Sequence, residues 1–254
     1  MNKPDSMDES PVYTGERAIE GATPSLTWRD HVARYQFASH YARGRVLDIA
    51  CGTGYGCKIL LNRATTRVVG IDISQDAINV ALKQYKNDRI AFMVGNILDI
   101  ELPNGSQDVI TCFETIEHVA EQETAISELC RLLNPNGTLI ISTPNRKATP
   151  PDGPVSPFHV NEFSTEEFVS FLRPHFGTVT VFGQRGVNKL LFLLFAIPFA
   201  RVIKNRLAVL LSFVDANVEG VEGITTVVSS SLESMSSFKE YRYVTAVCGR
   251  PRTR

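Results

Sequence analysis

Short apolar segments alternate with longer stretches of helical periodicity along most of the chain. A short run rich in Val, Ile and Phe is typical of a strand that is buried on both faces of a parallel sheet. Strands alternating with amphipathic helices favour an α/β fold, with a doubly wound sheet and helices on both faces. The pattern predicts strands at Val46–Ile49, Val68–Ile71, Ile90–Val94, Asp108–Phe113, Thr138–Ser142, Thr178–Phe182 and Tyr241–Cys248.

Capping residues mark where the helices begin. Ser74 precedes an apolar stripe and is a good N-cap, and Ser164 with Glu167 has the spacing of a capping box. Phe163 and Phe168 flank the second of these starts as a hydrophobic staple. Helices are predicted at Thr27–Arg43 with Thr27 and Asp30 as a capping pair, at Lys58–Leu61, from Ser74 to Tyr85, at Glu121–Leu133 and after Ser164.

A glycine-rich turn follows the first strand. Gly52, Gly54 and Gly56 let the backbone approach a ligand closely. The spacing lacks the third glycine of the dinucleotide pattern G-x-G-x-x-G, because Cys57 stands there. Asp48, inside the strand, would repel a pyrophosphate and attract a cationic ligand. S-adenosylmethionine carries a sulfonium and an ammonium and no phosphate, so it fits this turn better than a dinucleotide does.

These segments resemble the class I S-adenosylmethionine-dependent methyltransferases. The motif here is V-L-D-I-A-C-G-T-G-Y-G at residues 46–56, followed by Asp72 at the end of the second strand. The resemblance implies S-adenosyl-L-methionine as the cofactor and a Rossmann-like sheet of seven strands, the last one antiparallel. Asp72 is placed to accept hydrogen bonds from both ribose hydroxyls, a role that nicotinamide enzymes share. Cofactor contacts are expected from Asp48, Ala50, Gly52, Gly54, Asp72, Ile73, Phe113 and Arg17.

Two further cofactor contacts are expected after the third strand. Related enzymes often carry Gly-Asp-Ala there, with a carboxylate that accepts a hydrogen bond from the adenine amino group. Here Asn96 takes that position, which is a departure from the family pattern, although its amide oxygen can still accept. Ile97 would then cover the ring. Arg17 ends the sequence T-G-E-R, which in similar bacterial methyltransferases looks like part of a lid over the cofactor or substrate.

A second polar cluster, E-T-I-E-H-V at residues 114–119, follows the fourth strand. In such a fold this strand end faces the sulfonium, so side chains there reach the methyl group or the acceptor. His118 is a candidate general base, because an imidazole titrates near neutrality and could take a proton from a hydroxyl. Glu117 is a catalytic candidate beside it. The alternative is structural: His118 caps the following helix and Glu117 stabilises the helix N-terminus electrostatically.

The sequence P-F-H-V-N-E-F at residues 157–163 provides the next candidate. Together with T-G-E-R, F-E-T-I-E-H-V and S-T-P-N, it resembles a bacterial branch of small-molecule and sugar methyltransferases over about residues 13–184. By that resemblance His159 is a second candidate base or substrate ligand, and the alternative is a structural histidine that holds the loop. The expected scheme needs no metal ion, although the clustered acids and histidines leave a divalent cation open.

Composition and charge argue against several other classes of protein. At 254 residues and 43% hydrophobic, the chain can bury a full core, and one domain with an insertion is favoured over two domains. A net charge of −1 and the lack of a basic tract interleaved with aromatics disfavour a nucleic-acid substrate. The five cysteines are scattered and odd in number, which indicates reduced, buried thiols in a cytoplasmic protein. The polar N-terminus has no apolar core of a signal peptide, so secretion is not expected.

The predicted domain organisation has two parts. Residues 1–43 form a tail and a leading helix, and residues 44–254 form the methyltransferase domain with a hydrophobic helical insertion at about 187–240. The longest uncharged run in this insertion, Leu190–Ala200, has 11 residues and contains Pro198. It is too short to span a bilayer, which needs about 20 residues.

The insertion has two interpretations. Residues 187–214 form a buried or substrate-covering helical hairpin, or they attach the protein to the surface of a membrane. The second interpretation rests on charge, because the charged side chains of this segment are all basic and suit anionic lipid. They are Lys189, Arg201, Lys204 and Arg206. The expected localisation is cytoplasmic, with peripheral membrane contact under the second interpretation.

The sequence therefore predicts an S-adenosylmethionine-dependent methyltransferase that acts on a hydroxyl of a small molecule or glycan. A quinone- or phenol-type acceptor and N-methylation are alternatives. A nicotinamide-dependent oxidoreductase is a rival of another class, opposed by Asp48 and by the missing third glycine. A cofactor-binding module without turnover is the other rival.

Overall fold

The computed structural model describes residues 21, 23–148, 157–184, 224–226 and 241–252. The helices are α1 (Ser25–Ser39), α2 (Tyr55–Leu60), α3 (Gln75–Gln84), α4 (Gln122–Leu132) and α5 (Thr165–Leu172). The strands are β1 (Gly44–Ile49), β2 (Thr65–Asp72), β3 (Ile90–Val94), β4 (Gln107–Phe113), β5 (Leu133–Pro144), β6 (Phe176–Gln184), β7 (Ile224–Thr226) and β8 (Tyr243–Pro251).

All described strands form one sheet in the order β3-β2-β1-β4-β5-β8-β6-β7. The pairs from β3 through β5 are parallel, and β8 is antiparallel to both β5 and β6. The doubly wound sheet with an antiparallel last strand is thereby confirmed. The sheet has one strand more than predicted: β7 pairs antiparallel with β6 at the edge. Residues 224–226 of the predicted insertion form strand β7, and the other residues of 187–240 lie outside the described part of the chain.

The apolar runs form strands because the sheet is covered on both faces. Val46 of β1 packs in a cluster with Tyr35 of α1 and Leu60 of α2. Its neighbour Leu47 belongs to the opposite cluster, with Ile126 of α4. Successive side chains of a strand point to opposite faces, so a strand that is buried twice reads as a continuous apolar run. The five cysteines are buried free thiols, as predicted.

The observed helix starts agree with the predicted ones at two sites and differ from the prediction at a third. Ser74 accepts a hydrogen bond from the backbone N–H of Ala77, and Ser164 and Glu167 form the complete capping box. The predicted Thr27–Asp30 capping pair is wrong. Helix α1 begins at Ser25, and its N-cap residue is Pro24, which provides no side-chain hydrogen bond.

Two other features bear on the predictions. Strand β5 begins at Leu133, five residues before the start of the strand predicted at Thr138–Ser142. This end of the strand is irregular, because the register with β4 shifts between Gln107 and Val109. Across the described ranges, no helix combines the length and the apolar character that crossing a bilayer requires.

Candidate active site

The turn after β1 lies at the carboxyl edge of the sheet, beside the point where the strand order reverses between β1 and β4. Ligands of open α/β sheets bind at such a point. Ala50, Gly52 and Gly54 have φ angles of 54°, 54° and 88°, and this region is uncommon for a residue with a side chain. A Cβ on Gly54 would lie 2.7 Å from the Phe92 ring, whereas a Cβ on Gly52 would meet nothing within 4 Å. Gly54 is therefore required for packing, and the space beside Gly52 is open for a ligand.

Asp72 is held against this turn. Its Oδ2 accepts a hydrogen bond of 2.8 Å from the backbone N–H of Gly52, and its Oδ1 accepts one of 2.9 Å from the N–H of Ser74. An ionised carboxylate has about four acceptor sites, so each oxygen can accept one more hydrogen bond. The carboxylate is fixed in orientation and keeps the capacity to bind a pair of hydroxyls.

The predicted adenine contacts lie at the ends of β2 and β3. Ile73 directly follows Asp72 and is 70% exposed. Asn96 is exposed, and its Oδ1 accepts a hydrogen bond of 3.0 Å from the backbone N–H of Leu98, so one of its two acceptor sites serves a local turn. Ile97 is half-buried against the core. Ile73 therefore offers exposed apolar surface at this edge.

Asp48 does not face an open cleft. Its carboxylate is fully buried and accepts hydrogen bonds from Thr111 at 2.7 Å, from Tyr35 at 3.2 Å and from the Cys57 thiol at 3.4 Å. Burial raises its pKa to about 7. The expected direct attraction between this carboxylate and a cationic guest is thus corrected, because Asp48 instead ties β1 to β4, α1 and α2 beneath the turn.

Phe113 also differs from its predicted role as a surface for the cofactor. It is buried, and its ring meets that of Tyr35 edge-on at 5.0 Å between centroids. Arg17 lies outside the described residues.

This edge of the sheet fits S-adenosyl-L-methionine. The open space at Gly52 lets such a ligand approach the backbone. The fixed Asp72 carboxylate suits its ribose, and the exposed Ile73 suits its adenine.

A buried arginine that the sequence analysis did not identify lies beside the site. Arg34 of α1 is fully buried, donates to Gln184 Oε1 at 2.8 Å and lies over the Tyr243 ring at 4.4 Å. Its Nε is 4.0 Å from Oε1 of Glu114, which follows β4 and has a φ of 49°. Nε and one terminal nitrogen of Arg34 have no hydrogen-bond partner among the described residues. An arginine within a helix normally indicates a solvated face, so the sequence offered no signal for it.

Glu117 lies in a short 3₁₀ helix, Ile116–His118, after β4. Its side chain is fully buried, with Oε2 accepting a hydrogen bond of 3.1 Å from Thr143. Burial, reinforced by the nearby charge of Glu114, raises the pKa of Glu117 well above its usual range. Within the described ranges, Oε1 has no partner.

The structure brings His118 and His159 together, although they lie far apart in the sequence. Phe158, the residue before His159, is 40 positions from His118. Their rings meet edge-on at 4.8 Å between centroids. His118 Nδ1 is 2.8 Å from the carbonyl oxygen of Phe158, and His159 Nδ1 bonds to Glu162 Oε1. A ligand atom of each histidine and of Glu117 lies within 4.8 Å of the others. All three catalytic candidates therefore form one cluster.

Comparison with known proteins places this geometry in context. Residues 47–141 match the family model described as a methyltransferase domain. A "probable S-adenosylmethionine-dependent methyltransferase" of Mycolicibacterium smegmatis is 37% identical over 177 residues, which are 68% of this chain and 68% of that protein. A similarly named protein of Mycobacterium tuberculosis is 34% identical over 178 residues, 67% of this chain and 64% of that protein. The chain thus spans about two thirds of the length of these relatives.

Two further similarities bear on chemistry and fold. A ubiquinone biosynthesis O-methyltransferase of Thiobacillus denitrificans is 34% identical over 114 residues, 41% of this chain and 46% of that protein. The solved structure of a SAM-dependent methyltransferase from Thermotoga maritima has a TM-score of 0.55 at 17% identity and covers 87% of this chain and 91% of that chain. At that identity the structural likeness shows the fold alone.

Proposed function

The chain belongs to the S-adenosylmethionine-dependent methyltransferases, and on that premise we propose that it methylates a hydroxyl oxygen of a small molecule or glycan. Family membership decides against the nicotinamide-dependent alternative. The similarity to an O-methyltransferase supports oxygen as the acceptor atom. The cluster of Glu117, His118 and His159 supports it as well, because a hydroxyl must lose its proton as it is methylated.

The residues for the cofactor follow from the fit described above. Bound S-adenosyl-L-methionine supplies an electrophilic methyl group on a sulfonium. Asp72 would accept hydrogen bonds from its ribose, Gly52 would allow close approach of the backbone, and Ile73 would cover the adenine. Holding donor and acceptor in reactive geometry is worth up to about 7–11 kcal/mol.

The observation that carries the proposal is the hydrogen bonding of the two histidines. The Phe158 carbonyl oxygen can only accept, so Nδ1 of His118 must carry a hydrogen. The Glu162 carboxylate fixes the same tautomer in His159. Each neutral ring is therefore left with an unprotonated Nε2. The cluster can take a proton from a hydroxyl through these two nitrogens.

The rim of the cluster supports an acceptor with an apolar part. Phe158 and Val160 flank His159 and are 43% and 62% exposed. The backbone N–H of Val160 donates to the Glu117 carbonyl oxygen at 2.8 Å, so this rim is attached to the cluster. A phenol or a lipid-linked sugar would place its ring or chain against these side chains.

The experiment is a transfer assay with cofactor labelled in the methyl group. Purified protein is incubated with cell-envelope glycans, small phenols and matched amines, and the position of the label is determined by mass spectrometry. We expect the label on oxygen. Replacing both histidines, His118→Gln with His159→Gln, should lower kcat by about 10²–10⁴-fold. The exposed His40→Gln is the matched control and should leave kcat unchanged. Label found only on amine nitrogen would refute O-methylation.

A further inference from the structure

We propose that Glu117, His118 and His159 form a binding site for a divalent metal ion. The inference rests on the proposed function, because it specifies how the same cluster removes the proton of the acceptor hydroxyl.

The three side chains already converge. A ligand atom of each lies within 4.8 Å of the others. Bonds of about 2.0–2.1 Å from metal to nitrogen or oxygen require ligand atoms roughly 3 Å apart, so modest side-chain rotation closes the site. The backbone N–H groups of Val160 and Asn161 donate to the Glu117 carbonyl oxygen at 2.8 and 3.2 Å. These bonds hold the segment of His159 against the turn that carries the other two ligands.

The histidines are oriented as metal ligands are. A ligating histidine almost always donates its other ring N–H to a carbonyl or carboxylate, which fixes the tautomer and the ring. His118 makes this bond to the Phe158 carbonyl oxygen, and His159 makes it to Glu162. Both rings therefore have Nε2 free to bind an ion.

Glu117 supplies the second, independent observation. Its side chain is fully buried, yet Oε1 has no hydrogen-bond partner among the described residues. A buried acceptor without a partner is costly, and an ion bound by this oxygen would remove the cost.

A histidine–glutamate pair elsewhere in the chain behaves differently. His175 Nε2 lies 3.0 Å from Glu123 Oε2, which is a direct hydrogen bond between the two side chains. Neither His118 nor His159 makes such a bond to Glu117 within the described ranges, where Oε2 of Glu117 accepts a hydrogen bond from Thr143 and Oε1 has no partner. The three side chains thus converge without forming hydrogen bonds to one another within the described ranges.

The ligand types indicate the class of ion and its chemistry. Two imidazoles and one carboxylate suit Zn²⁺ and Mn²⁺ better than Mg²⁺, which prefers oxygen ligands. Three protein ligands leave a position open for the hydroxyl oxygen of the acceptor. A bound ion would lower the pKa of that hydroxyl, and its proton would leave to solvent. The oxygen lone pair would then form the new bond to the methyl carbon as the bond from that carbon to the sulfonium sulfur breaks, which leaves S-adenosylhomocysteine. With the ion bound, the imidazoles would act as metal ligands and not as the general base.

The test measures binding and activity separately. Full-length protein is treated with a chelator, dialysed and titrated with ZnCl₂, MnCl₂ or MgCl₂ by calorimetry. We expect one ion per chain, with Zn²⁺ bound more tightly than Mn²⁺ and Mn²⁺ more tightly than Mg²⁺. His118→Gln and His159→Gln should each weaken Zn²⁺ binding by at least about 10–100-fold. His40→Gln is the control for surface histidines and should not change it, and circular dichroism confirms that each variant is folded.

Three results would overturn the metal site: no binding of any of the three ions, binding that survives both histidine substitutions, or Mg²⁺ bound more tightly than Zn²⁺. Methyl transfer that is equally fast in chelated and metal-loaded protein would also overturn it, while leaving the proposed O-methylation intact. Conversely, metal binding that depends on both histidines in a protein that methylates only nitrogen would support the site and refute the proposed function.

Discussion

Gly52 donates its backbone N–H to Oδ2 of Asp72 across 2.8 Å, which joins the turn after β1 to the end of β2. The two residues are 20 positions apart in the chain. The bond holds the carboxylate beside Gly52, where an added Cβ would meet nothing within 4 Å. The ends of β1 and β2 are therefore joined at the surface that we propose for the cofactor.

Asp72→Asn should weaken binding of S-adenosylhomocysteine by about 10–100-fold, because hydrogen bonds to a charged group contribute about 1.5–3 kcal/mol. Calorimetry measures the affinity. Asp76→Asn is the matched control, since Asp76 is an exposed acid in the first turn of α3. Equal affinities for the two variants would contradict the assignment of Asp72 to the ribose.

The two glycines of the turn should respond differently to alanine. A Cβ on Gly54 would lie 2.7 Å from the Phe92 ring and on a left-handed backbone, so Gly54→Ala should cost about 2–5 kcal/mol of folding stability. Gly52→Ala meets no neighbour and should cost only about 1–2 kcal/mol from its left-handed backbone, but its methyl group enters the proposed cofactor space. Tm and affinity for S-adenosylhomocysteine separate the two effects. Wild-type affinity in Gly52→Ala would place the cofactor elsewhere.

Asp48 should make stability fall as pH rises. Burial raises the pKa of Asp48 to about 7, above its value of 3.8 in an unfolded chain, so the folded chain holds a proton that the unfolded chain loses. This contribution is complete below about pH 4 and is lost as pH approaches 7. Between pH 5 and pH 8 it amounts to about 3 kcal/mol. Urea unfolding at both pH values should show a smaller drop for Asp48→Asn than for wild type. An identical drop in both would exclude the effect.

Arg34→Met should destabilise the fold by about 3 kcal/mol. Methionine preserves much of the side-chain volume, but the substitution leaves Gln184 Oε1 without its donor and Glu114 without the nearby charge. Arg45→Met is the control: Arg45 pairs with Asp108 at 3.2 Å, but its side chain is 51% exposed, and we expect a loss of at most about 1 kcal/mol. Urea unfolding measures both. A loss for Arg34→Met no larger than that of the control would contradict a structural role for the buried arginine.

Attachment to a membrane surface is one of the two interpretations of residues 187–214. If they bind the membrane surface, the protein should co-sediment with liposomes that contain anionic lipid and less with neutral ones. Replacing Lys189, Arg201, Lys204 and Arg206 by Gln should reduce that binding while a transfer assay checks that activity is retained. Sedimentation that does not depend on lipid charge would remove the electrostatic part of the hypothesis.

The sequence by itself determined seven of the eight described strands, the family and the edge that we propose for the cofactor. The apolar residues Val46, Leu47 and Ile49 of β1 lie in a strand that is covered on both faces, and this property is visible in a local run of residues. Gly52 closely follows β1 and Asp72 ends β2, so parallel pairing brings them together at one edge. The capping box at Ser164 is likewise a local signal.

Tertiary structure alone decided the environment of the charged groups. Whether Asp48 is solvated or buried beneath Tyr35 and Thr111 depends on how α1 and β4 pack against β1, and Thr111 of β4 lies 63 positions from Asp48 in the sequence. The same holds for Arg34, whose contacts come from strand ends far along the chain. His118 and His159 were each identifiable in the sequence as candidate catalytic residues. Their rings meet only because the segment that carries His159 hydrogen-bonds to the carbonyl oxygen of Glu117. Local periodicity specifies backbone and faces, whereas the charge state and partners of a buried polar group are set by contacts that form only when distant segments pack.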